Sequence, residues 1–311
     1  VLLVVPAVLS MISIRLLVID DRPDDASADS SRGIDGWGAA LSASAVVLLV
    51  LTINNPFGFA WLSIPVVLGA VATVGLLIGF VRWELRVDRP MLDLRMFAFP
   101  VFRYAVLVRV VGFVAGTTAM LLLPVYLLSA RGVSSALAGV LISILAVGMG
   151  LSAQVSGRMY DRVGPRLPTI IGLCLQIGAT LALAFSNETT PLPVIGAIAF
   201  LAGVGMALWN VPNNSAMLGA TPPESFGVGG AFTNVTRTVG NVIGQALITA
   251  VVAGVMASQG FDIPLGELGD TVGAAASFID GWKLAFLISA GLSAVTVLFA
   301  ARLPNRSGSG L

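Results

Sequence analysis

Gly157-Arg158-Met159-Tyr160-Asp161-Arg162-Val163-Gly164-Pro165-Arg166 stands between two long apolar runs, 135–156 and 167–185. Three arginines and an aspartate in ten residues are conspicuous where only 11% of residues are charged and 57% are hydrophobic. A helix needs about 20 mainly apolar residues to cross the hydrocarbon core of a bilayer. The ten residues therefore read as the turn of a hairpin that crosses a membrane twice. Arg158 and Arg162 fall where the first helix ends and complement its negative pole, while Asp161 lies close to the start of the second. Gly157 and Gly164 permit close approach and a tight turn, and Pro165 suits a first helical position. Any tight hairpin at a membrane surface wants a few arginines. The full spacing G-x-x-x-D-R-x-G-x-R is more specific than that.

Outward from the hairpin the same pattern repeats. Nine apolar runs are long enough, or nearly so, to cross: 1–18, 37–54, 64–83, 104–128, 135–156, 167–185, 192–215, 229–257 and 282–301. None alternates with the period of two expected of a barrel strand, so helices are the spanning solution. A mean hydropathy of +0.96 leaves too little polar surface for a water-soluble particle. The fold class is an all-α integral membrane protein. A net charge of +1 offers no basic face for nucleic acid. With no His and a single Cys174, neither a zinc site nor a Ser–His–Asp or Cys–His arrangement can be assembled. Cys174, inside an apolar run, reads as a small buried hydrophobe. No cofactor, metal site or catalytic residue is expected, and the chain does not read as an enzyme.

Orientation follows from the cations. Of the 17 Lys and Arg, thirteen fall in one set of alternate loops and ends, and only Arg131 and Lys283 in the other, with Arg109 and Arg237 inside spans. By the positive-inside rule the loops 19–36, 84–103, 157–166 and 216–228 and the C-terminus are cytoplasmic. The 258–281 loop then faces outside. The 20–36 loop, with six Asp, reads as a solvated connector without EF-hand spacing. Thr221-Pro222-Pro223-Glu224 reads as a capping box that starts the next helix. The chain opens at Val1 inside an apolar run, with no basic segment ahead of it. That fits a span cut at its outer end, so a fragment of a longer protein is expected.

The 157–166 loop resembles the signature loop of the major facilitator superfamily. Pro124-Val125-Tyr126-Leu127, then Arg131-Gly132 and Ala138-Gly139, resembles a helix-loop-helix of the fourteen-span drug/proton antiporter branch. The passage from Gly203 to Gly244 (GVGMALWNVPNN, TPPE, GVGGAFTNVTRTVGNVIG) resembles the same branch. The resemblance implies a major-facilitator-type helix bundle in which these nine spans are the last nine of fourteen. Residues 1–18 would close a truncated N-terminal bundle, and 19–36 form an acidic cytoplasmic loop. Residues 37–83 would be two extra central helices, and 84–103 a cytoplasmic linker. Residues 104–301 would form the C-terminal six-helix bundle, built from inverted three-helix repeats, and 302–311 a cytoplasmic tail. The branch commonly has Gln where this chain has Leu128, so a ligand contact there is not carried over.

The resemblance implies alternating-access export of small lipophilic or cationic, drug-like solutes across the plasma membrane in exchange for protons. No Asp or Glu lies within any of the nine runs, so a carboxylate proton relay has no place in these spans. Two polar stripes remain. Asn234, Arg237, Asn241 and Gln245 share one helical face, and Met206, Asn210, Asn213 and Met217 share another. Pro212 should kink the second helix. Both faces would line the transport cavity, or serve as hydrogen-bond glue between helices. Arg237 is the sharpest residue: it holds an anionic partner, orients water, deters cations, or bonds to carbonyls near the 157–166 loop. Arg109, near a span end, is expected to snorkel to the interface. Trp61, Trp83 and Trp282 fall near span ends as interfacial anchors. Gly112-xxx-Gly116 and Gly240-xxx-Gly244 would let helices pack closely. Residues Gly157, Arg158, Asp161, Arg162, Gly164 and Arg166 would act as a cytoplasmic gating latch. The rival readings are a non-transporting scaffold or degenerate product, and export of a lipid, peptide or siderophore on the same fold.

Overall fold

The computed structural model describes residues 35–55, 63–87, 94–221, 226–261, 263, 271 and 273–304. The 1–18 run, most of the 19–36 loop, Trp61 and Pro222–Glu224 lie outside them. Eight helices among the described residues are long and apolar enough to cross a membrane. They are α1 (Gly36–Asn54), α2 (Ile64–Glu84), α3 (Pro100–Val125), α4 (Ser135–Val163), α5 (Arg166–Ala184), α6 (Leu192–Gly219), α7 (Phe226–Ser258) and α8 (Ala274–Ala300). The chain divides into two units, 1–36 and 37–311. Helices α2 to α8 belong to the second, and α1 begins at the boundary.

Most spans run past their expected limits. Helix α4 continues to Val163, seven residues into what the sequence suggested was loop. Its 29 residues rise about 44 Å, beyond the roughly 30 Å hydrocarbon core, so its charged last turns project from the membrane. The turn itself is only Gly164-Pro165. Gly164 holds φ +78° and donates its N–H to Tyr160 O at 2.8 Å, a glycine helix stop. Likewise α8 starts at Ala274 rather than 282, with Asp280 and Lys283 inside its first turns. Hydropathy marks where a helix is apolar, not where it ends. Helix α3 passes through Pro124 into a single π-helical turn, Tyr126–Ala130, before α4 begins with Ser134 as its cap.

Helices α3 to α8 form one bundle. Helix α6 packs on α4 and α5, α3 packs on α7 and α8, and α5 meets α8. Exchanging α3 with α6, α4 with α7 and α5 with α8 maps these packings onto one another, as two related three-helix repeats require. Glycine sets the closest approaches in each repeat. A Cβ on Gly203 of α6 would collide with Leu145 O of α4, and one on Gly244 of α7 would sit 2.6 Å from Val114 O of α3. Backbones meet where small residues stand, because in lipid van der Waals packing must drive association.

Two buried clusters fill the bundle, one at each end. Tyr126, Trp282, Phe278, Phe286, Leu122 and Ile195 belong to the first; Phe102, Phe113, Trp209, Leu173 and Met217 belong to the second. Trp282 is therefore not an interfacial anchor. It is fully buried, donates Nε1–H to Leu183 O at 2.6 Å and packs on Tyr126 and Phe286. Cys174 is also reversed: it faces outward, exposed. Helices α1 and α2 keep most of their apolar surface open.

Candidate functional site

Arg109 anchors the site. It is not at the interface but 4% exposed inside the bundle. Its Nε donates to Thr233 O of α7 at 2.9 Å and its Nη1 to Asn210 Oδ1 of α6 at 3.0 Å. Its guanidinium also lies 5.2 Å from the Phe113 ring centre. One side chain thus ties α3, α6 and α7 together. Arg109, Asn210 and Arg237 stand nine, nine and eleven residues from the helix ends at Pro100, Gly219 and Phe226. At 1.5 Å per residue all three lie about 14–17 Å below the α4–α5 end, too deep for Arg109 to reach headgroups comfortably.

The α7 stripe opens outward. Asn234, Arg237 and Gln245 are exposed and Asn241 is half-buried. Asn234 Nδ2 only turns back onto Gly230 O at 3.2 Å. Asn241 Oδ1 accepts from Thr117 of α3 at 3.0 Å, and the same hydroxyl also reaches Phe113 O. Thr233, whose carbonyl receives Arg109, lies four residues, about one turn, before Arg237 on α7.

The second stripe divides. Met206 and Asn210 are half-buried, but Asn213 is 0% exposed and donates Nδ2–H to Ala105 O at 2.9 Å. Asn213 and the buried Met217 belong to the contact between helices, not to an open face. Met206 lines a cavity of about 20 Å³ with Thr118, Gln176 and Thr180. That is room for about one water, far from the several hundred Å³ a drug-sized ligand needs. Gln176 is fixed there by accepting Trp209 Nε1–H at its Oε1 at 2.6 Å.

In the hairpin, Arg158, Asp161 and Arg162 are exposed on the last turns of α4, and Arg166 starts α5. Gly157 is half-buried mid-helix, and Gly164 makes the turn. Asp161 thus belongs to the end of one helix rather than the start of the next. Thr221 does not start α7 as a cap: its hydroxyl donates to Met217 O at 3.0 Å, closing α6. The sequence reading missed the Arg109–Asn210–Thr233 junction. An arginine within a span, in a bundle that also holds a helix rich in asparagine, was the available signal.

The family model of the Major Facilitator Superfamily matches residues 1–245. An MFS-type transporter of Bacillus subtilis, YhcA, is 31% identical over 219 residues, 70% of this chain and 41% of its own length. The multidrug resistance protein Stp of Mycobacterium tuberculosis is 27% identical over 231 residues, 74% of this chain and 43% of its own. Among solved structures, a bacterial homolog of the human lysosomal transporter Spinster, inward-facing and occupied, superposes with a TM-score of 0.53. That comparison has 16% identity and covers 85% of this chain and 64% of the other.

An all-helical bundle with repeated three-helix packing defines a polytopic transporter fold. The chain belongs to the Major Facilitator Superfamily. It spans about half the length of the curated relatives it matches.

Proposed function

We propose that this chain is the C-terminal part of a plasma-membrane exporter that moves small lipophilic, drug-like solutes by alternating access, driven by protons. In this reading 104–301 is the C-terminal six-helix bundle, 37–83 holds the two extra central helices, and the C-terminus is cytoplasmic. Asn210, Asn234, Arg237, Asn241, Gln245 and Met206 border the transport cavity. Asn213 supports it from behind, through Ala105. The observation that carries the reading is the exposed polar stripe on α7. A charged side chain facing hydrocarbon at mid-helix costs about 2.5–3.5 kcal/mol, whereas Arg237 and three amides line one face 8 to 19 residues into α7. Such a face belongs against water or another half of the same transporter.

Single cysteines at Asn234 and Gln245, in a Cys174→Ser background, test this in membranes. Labelling by a membrane-impermeant maleimide, with protection by a transported solute, is the expected result. Labelling only after detergent extraction would place the stripe in lipid or protein and end the cavity reading. The hairpin residues Arg158, Asp161, Arg162 and Arg166, between Gly157 and Gly164, would act as a latch holding one conformation. Asp161→Asn and Arg162→Gln should shift cysteine accessibility between the two sides, and an unchanged pattern would remove the latch.

A further inference from the structure

We infer that the Arg109–Arg237 pair forms a binding site for an anionic group on a small lipophilic solute, an acid rather than a cation. The inference deepens the proposed cavity on α7 and rests on that reading. Four observations converge. Arg109 is buried with its charge met only by neutral acceptors, Thr233 O and Asn210 Oδ1, and by a ring. Arg237, one turn along α7 from the Thr233 carbonyl that holds Arg109, makes no hydrogen bond or ion pair among the described residues. Helices α3, α6 and α7 contain no Asp or Glu at all. The amides of Asn234 and Asn241 flank Arg237 at one-turn spacing, and both carry N–H donors.

Two like charges in a poorly solvated place repel, and a bound anion relieves both. Arginine presents a planar fork of N–H donors that matches a carboxylate, sulfonate or phosphate oxygen pair. A cationic solute would meet repulsion from both side chains with no carboxylate to offset it. The floor of the site is rigid, because Arg109 is held by three helices. Its outer donor, Arg237, is exposed and able to reach the incoming group. The apolar body of the solute would lie along the remaining face of the bundle.

The test uses the complete transporter that carries this chain, in phosphatidylcholine nanodiscs, and a pair of probes with one fluorophore and opposite charge, dansylglycine and dansylcadaverine. Tighter binding of the anionic probe, weakened about tenfold or more by Arg237→Gln, is expected, with binding of the cationic probe changed less than about twofold. Rising salt should weaken the anionic probe alone. Equal binding of both probes, or no effect of Arg237→Gln, would overturn the inference, while the cysteine labelling of Asn234 and Gln245 stands as a separate measure of the cavity. Replacing part of the phosphatidylcholine by phosphatidylglycerol distinguishes the source of the anion. Unchanged affinity supports a solute acid; competitive loss of the probe assigns the arginines to a lipid phosphate and rejects the solute site. Arg109→Lys, which keeps the charge, should retain more of the preference than Arg109→Gln if charge rather than helix packing sets it.

Discussion

Arg131 and Arg237 carry the same guanidinium, yet the two ends of the bundle use it in opposite ways. At the α3–α4 end, Arg131 Nη1 donates to Thr190 O at 2.8 Å and to Tyr126 Oη at 3.0 Å, and Tyr126 in turn donates to Asn187 O at 2.6 Å. The guanidinium also lies against the Tyr126 ring, which packs on Trp282. That network joins two connections, 126–134 and 185–191. Toward the α4–α5 end, Arg109 is similarly bonded but Arg237 beside it is open. A closed network of this sort holds helices together. An open cation above a buried one has binding capacity left over.

The largest effect should come from removing the centre of the closed end. Trp282→Ala deletes a fully buried ring that packs on Tyr126, Phe278 and Phe286, and removes one of the donors to Leu183 O, which Ser186 N–H also reaches. A loss of about 3–5 kcal/mol is expected from the cavity alone, read as a fall in the thermal midpoint of the detergent-solubilised chain. A shift of only a degree or two would mean that this end collapses around the vacancy and does not hold the helices together.

Much of this contrast was visible in the sequence, and the missing part has a physical cause. Periodicity and charge located the spans, the hairpin and the α7 stripe, because those are properties of single segments. Pro124-Val125-Tyr126-Leu127 stood out as a motif, but not what Tyr126 touches. Trp282 was assigned to the interface because it lies near the end of its apolar run. The helix in fact begins eight residues earlier, which carries Trp282 inside. Arg109 and Asn213 were misplaced for a related reason. Their partners, Thr233 O, Asn210 and Ala105 O, are 101 to 124 residues away, and no local pattern encodes a contact at that range.

The two bonded arginines can be set against each other next. Arg109→Gln removes donors from Thr233 O and Asn210 Oδ1 in a buried place, and about 2–4 kcal/mol is expected. Arg131→Gln breaks bonds at a half-exposed position, where water can replace the lost donors, and about 1–2 kcal/mol is expected. The order of the two thermal midpoints is the measurement. If Arg131→Gln is the more damaging, the aromatic end depends on its cation more than on its rings.

The smallest stability effect should be at Arg237. Nothing among the described residues is bonded to its guanidinium, so Arg237→Gln leaves no partner stranded, and it takes a positive charge away from Arg109. The thermal midpoint should stay within the range of about 0.5 kcal/mol typical of surface changes, or rise slightly as the repulsion is relieved. A residue held in a membrane span without contributing to folding has to be explained by what it meets there. A destabilisation as large as that of Arg109→Gln would instead make Arg237 part of the same structural junction. The two ends of the bundle would then use arginine in the same way.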